Sequence, residues 1–181
     1  MNYINELDDK IYQALMKLES HIATETMIII SMFASAITLI ALSIIFLIGI
    51  KNKKYPKYII LNLILAFISN KVLQFIIRRK RPERLQIVPE TGFGFPSGHV
   101  MIGFAYYVFL IYLIYKNIEN KKIKYPLIVF LAILILLIGI SRIYLGVHYV
   151  TDVLGGLIFG CIYIILFIKY VYKNKKIKIV K

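Results

Sequence analysis

Long apolar runs, separated by short stretches rich in lysine and arginine, are the dominant pattern of the chain. The run from Met27 to Ile50 contains no charged residue, and four later runs are almost as free of charge. A helix of about 20 apolar residues is long enough to cross the hydrocarbon core of a bilayer. The pattern therefore predicts five membrane helices, at residues 27–50, 57–77, 98–115, 126–143 and 149–168.

The N-terminal segment has a different pattern, in which apolar residues recur at spacings of three or four. The residues of this stripe are Ile4, Leu7, Ile11, Leu15, Leu18 and Ile22. Such a segment is too polar to cross a membrane and is typical of a helix that lies in the interface. We therefore predict an all-α fold, a polytopic membrane helix bundle. It has an amphipathic interfacial helix over residues 1–26, a membrane-embedded domain over 27–168 and a basic tail over 169–181.

The composition excludes an ordinary soluble protein, because 60% of the residues are hydrophobic and only 18% are charged. The mean hydropathy of +0.76 agrees. The net charge of +14 does not indicate a nucleic-acid partner, since the basic residues lie between the apolar runs and form no continuous basic face. The single cysteine, Cys161, lies inside an apolar run, which excludes a disulfide framework and a cysteine zinc site.

Lysines are concentrated on one side of the predicted bundle. The segments after the first, third and fifth apolar runs carry four, four and six lysines. The positive-inside rule places such segments in the cytoplasm. We therefore predict a multi-pass protein of the cell membrane with a cytoplasmic C-terminus. The N-terminal segment and the loops after the second and fourth runs are then extracytoplasmic.

Three clusters of polar residues lie on this predicted outer side. The first cluster closes the second helix and consists of Lys71, Gln74, Arg78, Arg79, Lys80, Arg81 and Pro82. An ionisable residue about two turns inside a membrane helix is costly there and indicates a functional site. The alternative is that Lys71 extends to the outer surface and that the arginines bind lipid headgroups.

The second cluster runs from Gly92 to His99 and leads directly into the third helix. Its turn, Pro96-Ser97-Gly98, leaves the backbone N–H groups of the first helical turn without partners, and such a helix end suits a phosphate. In the alternative interpretation, Ser97 is an ordinary helix cap and His99 is a structural histidine.

The third cluster runs from Ser141 to Asp152, at the end of the fourth helix and the start of the fifth. A helix from His148 to Asp152 brings the imidazole and the carboxylate to one face within hydrogen-bond reach. A carboxylate in that position fixes the tautomer of the histidine and raises its basicity, which suits a nucleophile or a base. A lone pair of this kind is often structural, but Arg142 and both glycine-rich turns lie on the same side of the membrane.

Together the clusters supply two histidines, one aspartate, several arginines and one helix N-terminus. These are the groups that phosphoryl transfer needs, because arginines and amides hold the charged oxygens while one histidine attacks and another protonates the leaving oxygen. A metal site is the rival interpretation, since two histidines and an aspartate are possible ligands. So many adjacent cations oppose a divalent ion, however, and we expect no metal and no other cofactor.

These motifs resemble those of the type 2 phosphatidic acid phosphatase (PAP2) family, whose core is related to bacterial acid phosphatases and vanadium haloperoxidases. The family pattern is a Lys, six residues and Arg-Pro; then Pro-Ser-Gly-His; then Ser-Arg, five residues, His, three residues and Asp. The residues that match it at the required spacing are Arg81, Pro82, Pro96 to His99, Ser141, Arg142, His148 and Asp152. The resemblance covers about residues 57–168 and implies a PAP2/haloperoxidase-like core.

The resemblance also implies a role for each matching residue in a metal-independent hydrolase. His148 attacks the phosphoryl group and forms a phosphohistidine, and Asp152 orients His148. His99 protonates the leaving oxygen and then activates water. The residues implied to hold the phosphate oxygens are Arg81, Ser97, Gly98 and Arg142.

The chain departs from the family pattern at Gln74, where the pattern has a lysine. Glutamine still donates a hydrogen bond but contributes no charge. Lys71 lies one turn deeper in the same helix and Arg78 one turn nearer its end, so either residue is a candidate for the missing charge.

We therefore predict a membrane phosphatase that hydrolyses a lipid mono- or diphosphate at the outer leaflet. Within the family, small proteins with five or six spans often resemble undecaprenyl diphosphate phosphatases, which makes that lipid the favoured substrate. Phosphatidylglycerol phosphate, phosphatidate and lipid A are alternative substrates. A lipid phosphotransferase and a non-catalytic phospholipid-binding protein are the alternative functions, and intact His148, Asp152 and His99 argue against the second.

Overall fold

The computed structural model describes residues 2–82 and 86–173, and these residues form helices joined by short loops. The helices are α1 (Asn2–Met16), α2 (His21–Met32), α3 (Ala36–Gly49), α4 (Lys54–Ile77), α5 (Gly98–Asn117), α6 (Lys121–Tyr144) and α7 (Val150–Leu166). Helix α7 continues without a break as a π-helical segment, Phe167–Lys173. The predicted all-α bundle is confirmed for the described residues.

Four helices, α4 to α7, are each long and apolar enough to cross a membrane by themselves. The predicted first span, 27–50, is not the continuous helix that we expected. It is divided into α2 and α3, which begin earlier, at His21, and bend by 51°. Five spans result when this bent pair counts as one.

The break between α2 and α3 is stabilised by polar contacts that the apolar sequence conceals. The side chain of Ser35 caps α3 by accepting a hydrogen bond from the Thr38 backbone N–H at 3.2 Å. The Tyr107 hydroxyl of α5 donates to the Phe33 carbonyl at 2.6 Å. The backbone groups that the break releases are therefore paired inside the bundle, as they must be at membrane depth.

Helix α5 lies at the centre of the bundle and packs against α4, α6 and α7. Small residues allow the close approach of α7, since a Cβ atom added at Gly156 would lie 3.0 Å from the Val100 Cβ. Large apolar side chains of α3 face outward instead, for example Ile37 and Ile48. An apolar exterior of this kind is what a bilayer requires.

The two ends of the chain differ in detail from the sequence-based boundaries. The predicted interfacial helix over residues 1–26 is in fact α1, a turn, and the first part of α2, because Ser20 caps a new helix by accepting from the Ala23 N–H at 3.1 Å. The predicted tail begins at residue 169, but the chain stays helical to Lys173. Residues 174–181 of that tail lie outside the described residues.

Candidate active site

The three polar clusters predicted from the sequence meet at one end of the bundle. The end of α4, the start of α5, the end of α6 and the start of α7 all converge there, together with the loop over residues 86–97. The backbone confirms this convergence directly, because the Ser97 N–H donates to the Asp152 carbonyl at 3.1 Å and the Gly94 N–H to the Arg79 carbonyl at 2.8 Å.

His148 and Asp152 lie close together as predicted, but not within one helix, because α7 begins at Val150 and His148 lies in the loop before it. Asp152 Oδ2 lies 3.4 Å from His148 Nδ1, and both side chains are buried. The same Oδ2 accepts the Tyr149 backbone N–H at 2.9 Å, so the carboxylate also caps α7. Burial lowers the pKa of His148, which keeps the imidazole neutral at physiological pH. With Nδ1 facing the carboxylate, Nε2 is the nitrogen left for chemistry.

The loop that covers Asp152 approaches it closely at Gly94. A Cβ atom added at Gly94 would lie 3.2 Å from Asp152 Oδ2 and 3.3 Å from the Lys80 carbonyl oxygen. The backbone of this loop therefore seats directly on the carboxylate and separates it from water.

Arg81 contacts the histidine, and Arg142 is linked to Arg81 through Glu90. Arg81 Nη1 lies 3.1 Å from His148 Nε2 and donates to the Val147 carbonyl at 3.1 Å. Arg142 is almost completely buried and donates to Ser31 of α2 and to Glu90. Burial lowers the pKa of Arg81 from its high ordinary value, but a guanidinium stays charged. Two positive charges thus lie next to one carboxylate, Glu90.

Glu90 is the carboxylate that balances these two arginines. Its carboxylate accepts a hydrogen bond from Arg142. The same carboxylate lies 3.6 Å from Arg81 Nη2 and 3.8 Å from His99 Nδ1. Burial acts to raise the pKa of Glu90, but the charges of Arg142, His99 and Arg81 prevail and hold it below its ordinary value. The side chain is one-quarter exposed, at 26%. Glu90 is therefore ionised, and its carboxylate lies between the two arginines.

The N-terminus of α5 supplies the uncharged donors of the site. Ser97 is fully buried, and its hydroxyl has no hydrogen-bond partner among the residues that the structure describes. Next to it, Gly98 begins the helix, whose first backbone N–H groups have no partners within the helix. Asn70 and Gln74 of α4 hold this turn in place by donating to the Pro96 carbonyl at 3.3 and 3.1 Å.

The structure distinguishes between the two candidates for the charge that Gln74 lacks. Lys71 lines the cavity of the site, and its Nζ lies 3.4 Å from Gln74 Oε1. Arg78 points away, since its Nε donates to the Phe75 carbonyl at 2.9 Å and its guanidinium lies 4.4 Å from the centre of the exposed Phe75 ring. The expectation that Arg78 reaches the site is therefore not met.

A cavity of about 530 Å³ connects the polar groups to the membrane-facing part of the bundle. Its polar end is formed by His148, His99, Arg81 and Glu90. Its apolar walls come from α3, α4 and α5, and include Leu39, Leu63, Ile64, Phe67 and Ile102. The arrangement suits a ligand with an anionic head and an apolar chain.

Two further residues complete the site: Arg79, which belongs to the first polar cluster but was given no role from the sequence, and Asp8, which was not predicted at all. Arg79 Nη1 donates to Asp152 Oδ1 at 2.9 Å, and Asp8 of α1 is buried beside it. One signal was available for Asp8, because it lies four residues after Ile4 and three before Ile11, inside the apolar stripe of α1. An acid in such a stripe indicates a buried polar contact. Arg79 gave no signal that set it apart from its basic neighbours.

Among residues 2–82 and 86–173, no group of three or more histidine, cysteine, aspartate and glutamate side chains is arranged to hold a metal ion.

The family assignment follows from this geometry and from comparison with known proteins. The family model of the PAP2 superfamily matches residues 55–176. The chain therefore belongs to the PAP2 superfamily, and the resemblance stated from its motifs is confirmed.

Two relatives of known name are lipid phosphatases. Over 95 residues the chain is 43% identical to phosphatidylglycerophosphatase B of Bacillus subtilis, a stretch that covers 50% of this chain and 45% of that protein. Over 178 residues it is 28% identical to undecaprenyl-diphosphatase BcrC of the same organism, covering 94% of this chain and 84% of the relative. The prediction of a phosphatase agrees with both names.

Solved structures confirm the fold. The crystal structure of a transmembrane PAP2-type phosphatidylglycerolphosphate phosphatase from Bacillus subtilis matches with a TM-score of 0.86 and 30% identity, over 97% of this chain and 90% of that one. Aquifex aeolicus LpxE matches with a TM-score of 0.72 and 22% identity, over 91% and 96% of the two chains, which supports the fold alone. The predicted multi-pass membrane protein is confirmed at this level.

Proposed function

We propose that the protein is a metal-independent phosphatase of membrane lipid phosphates and that His148 is its nucleophile. One observation carries the proposal. A buried histidine paired with a carboxylate lies beside Arg81 at the polar end of a cavity whose other walls are apolar, and Arg142 is linked to the same end through Glu90. A lipid phosphate has the same two-part chemistry, and phosphoryl transfer needs these groups at its reacting end.

In the first step, His148 Nε2 attacks phosphorus, a P–N bond forms, and the bond from phosphorus to the leaving oxygen breaks. His99 gives its proton to that oxygen, and the incoming phosphate charge favours the protonated form of His99 beforehand. Asp152 stabilises the positive charge that develops on the His148 ring. In the second step, His99 takes a proton from water, the water oxygen bonds to phosphorus, and the P–N bond breaks to release inorganic phosphate.

Arg81 and Arg142 hold the phosphate oxygens in both steps, and the Ser97 hydroxyl and the Gly98 N–H add two neutral donors. The unpartnered, buried Ser97 hydroxyl supports this role, since a buried polar group without a partner is unfavourable until a ligand pairs it. Lys71, from its position on the cavity wall beside Gln74, supplies the further charge that the family lysine provides elsewhere.

Undecaprenyl diphosphate is the substrate that we favour, and the relative matched over most of this chain is named for that reaction. Phosphatidylglycerol phosphate is the second candidate, which the higher identity to phosphatidylglycerophosphatase B and the fold match of 0.86 support. Purified protein in detergent with EDTA, given undecaprenyl diphosphate, phosphatidylglycerol phosphate, phosphatidate and lipid A in parallel, decides between them. Free phosphate indicates hydrolysis, whereas a newly phosphorylated lipid indicates a phosphotransferase.

We also propose that the site faces away from the cytoplasm in the cell membrane and that the C-terminus is cytoplasmic, on the strength of the lysine distribution. Cysteine labelling tests this orientation in a Cys161→Ser background. Pro89→Cys, in the loop beside the site, is expected to react with a membrane-impermeant reagent in whole cells, and Lys121→Cys only after the cells are opened. The reverse pattern would overturn the topology.

A further inference from the structure

A buried acid in the N-terminal helix lies at the back of the proposed active site. Asp8 of α1 is only 2% exposed although it lies in the most polar part of the chain. It is also outside residues 55–176, the part of the chain that matches the family model. The cost of burying a carboxylate is offset only by close partners, so its partners indicate its role.

Asp8 binds the first turn of α7, the helix that carries Asp152. Its Oδ1 accepts the Thr151 backbone N–H at 3.3 Å, and its Oδ2 accepts the Thr151 hydroxyl at 3.1 Å. The backbone N–H groups in the first turn of a helix lack partners within the helix and attract negative charge. Asp8 therefore caps α7 from a distant segment of the chain.

Asp8 also faces Arg79, which in turn holds Asp152. Arg79 Nη2 lies 3.6 Å from Asp8 Oδ2, while Arg79 Nη1 donates to Asp152 Oδ1 at 2.9 Å and to the Thr151 hydroxyl at 2.7 Å. The Tyr149 ring covers the guanidinium at 4.6 Å. Arg79 is thus held between two carboxylates, one from α1 and one from α7.

This arrangement decides which oxygen of Asp152 faces the histidine. Arg79 occupies Oδ1, so that Oδ2 is left for the Tyr149 N–H and His148 Nδ1. Without Asp8, the full charge of Arg79 would attract Asp152 alone. The carboxylate would then shift toward Arg79 and away from His148, from which Oδ2 is already 3.4 Å distant.

We propose that Asp8 is a positioning residue for the nucleophile, acting through Arg79 and Thr151 on Asp152 and so on His148. The inference rests on the proposed function, in which His148 attacks phosphorus. Helix α1 is then a part of the catalytic machinery and not only an anchor at the membrane surface.

Kinetics of Asp8→Asn on the best lipid phosphate test the proposal. We expect kcat to fall about tenfold or more, with KM changed less than about twofold, because orientation of the nucleophile and not phosphate binding is impaired. Glu19→Gln, which removes an exposed acid from the same segment, is the matched control and is expected to keep the full kcat. An Asp8→Asn enzyme with the wild-type kcat would overturn the proposal.

A double variant separates positioning from a merely structural role. Because Asp8 acts through Asp152, the change Asp8→Asn is expected to cost nothing further in an Asp152→Asn background. Losses of kcat that multiply in the double variant contradict the proposal. If Asp8→Asn does not fold, Thr151→Val, which keeps the side-chain shape and removes the hydroxyl contacts with Asp8 and Arg79, replaces it in the same cycle with the same expected outcomes.

His148→Ala distinguishes failure of this proposal from failure of the proposed function. Phosphatase activity that survives His148→Ala removes the nucleophile on which both rest. An inactive His148→Ala enzyme beside a fully active Asp8→Asn enzyme overturns only the role of Asp8.

Discussion

Two clusters of arginine and carboxylate lie on either side of His148, and they are built differently. The clamp cluster consists of Arg79 between Asp8 and Asp152, and both of its acids are buried. The cavity cluster consists of Arg81 and Arg142 around Glu90, whose side chain is one-quarter exposed. The first cluster has two acids for one base, and the second has two bases for one acid.

The difference indicates which charges are fixed and which are exchangeable. In the clamp cluster the one arginine is neutralised by two acids, so no positive charge is left for a ligand. Both acids are buried, and we therefore expect the geometry of this cluster to stay the same when a ligand binds. In the cavity cluster one positive charge is in excess, and the single acid is attached to a loop that reaches water. A phosphate can take the place of Glu90 there, because it brings more negative charge and more acceptor oxygens to the same two arginines.

We expect the largest loss of activity when His148, which lies between the two clusters, is replaced. His148→Ala should abolish phosphate release, because the nucleophile has no substitute. Asp152→Asn should lower turnover strongly but less completely, since the nucleophile remains and only its orienting partner loses charge. Phosphate release from a lipid phosphate measures both. Greater residual activity in His148→Ala than in Asp152→Asn would contradict the assignment.

The comparison itself is tested by replacing one arginine from each cluster. Arg142→Gln should raise KM, and the inhibition constant of inorganic phosphate, by about tenfold or more, because a charge-assisted hydrogen bond to phosphate is worth about 1.5–3 kcal/mol. Arg79→Gln should lower kcat and leave phosphate inhibition unchanged. If both variants weaken phosphate inhibition equally, the division into a fixed and an exchangeable cluster is wrong.

We expect changes of about tenfold in turnover when the positive charge near Gln74 is removed or added. Lys71→Met should lower turnover by that factor, and Gln74→Lys should raise it, because a cation on the cavity wall stabilises the phosphate in the transition state. Arg78→Gln is the matched control, since Arg78 points away from the cavity. Unchanged turnover in Lys71→Met would mean that Arg81 and Arg142 carry the electrostatics alone.

The smallest expected effect concerns Glu90. Glu90→Gln should strengthen inhibition by inorganic phosphate about fivefold, because a competing anion worth about 1 kcal/mol is removed from the cavity cluster. The exposed Glu119, at the opposite end of the bundle, provides the control variant Glu119→Gln. Weaker inhibition in Glu90→Gln would show that Glu90 helps to bind the ligand instead of competing with it.

Local spacing was enough to predict the parts of the site that lie close together in the sequence. His148 and Asp152 are four residues apart and the turn before Gly98 is contiguous, although His148 lies in the loop before α7 and not in the helix from which the pairing was predicted. The apolar runs predicted α4 to α7 for the same reason, since length and hydropathy are properties of one segment.

Contacts between distant segments could not be predicted in this way. The break at Phe33 depends on a tyrosine hydroxyl from α5. Arg79 and not Arg78 reaches the site because of the conformation of one residue. Helix α4 ends at Ile77, and Arg78 adopts a left-handed conformation with φ of 53°. A helix continued past Ile77 keeps Arg78 on the face of Gln74. The actual turn directs Arg79 toward α7 instead.

The glycine contact above Asp152 has a consequence for protein engineering. Grafting the loop before α5 from another family member is an obvious way to alter which lipid head is accepted. The contact at Gly94 divides that loop into two parts, because an added methyl group there would lie 3.2 Å from Asp152 Oδ2 and 3.3 Å from the Lys80 carbonyl oxygen, so that these neighbours would have to move. A library should therefore keep Gly94 unchanged and diversify residues 88–89, which line a smaller cavity beside Glu90 and Arg142.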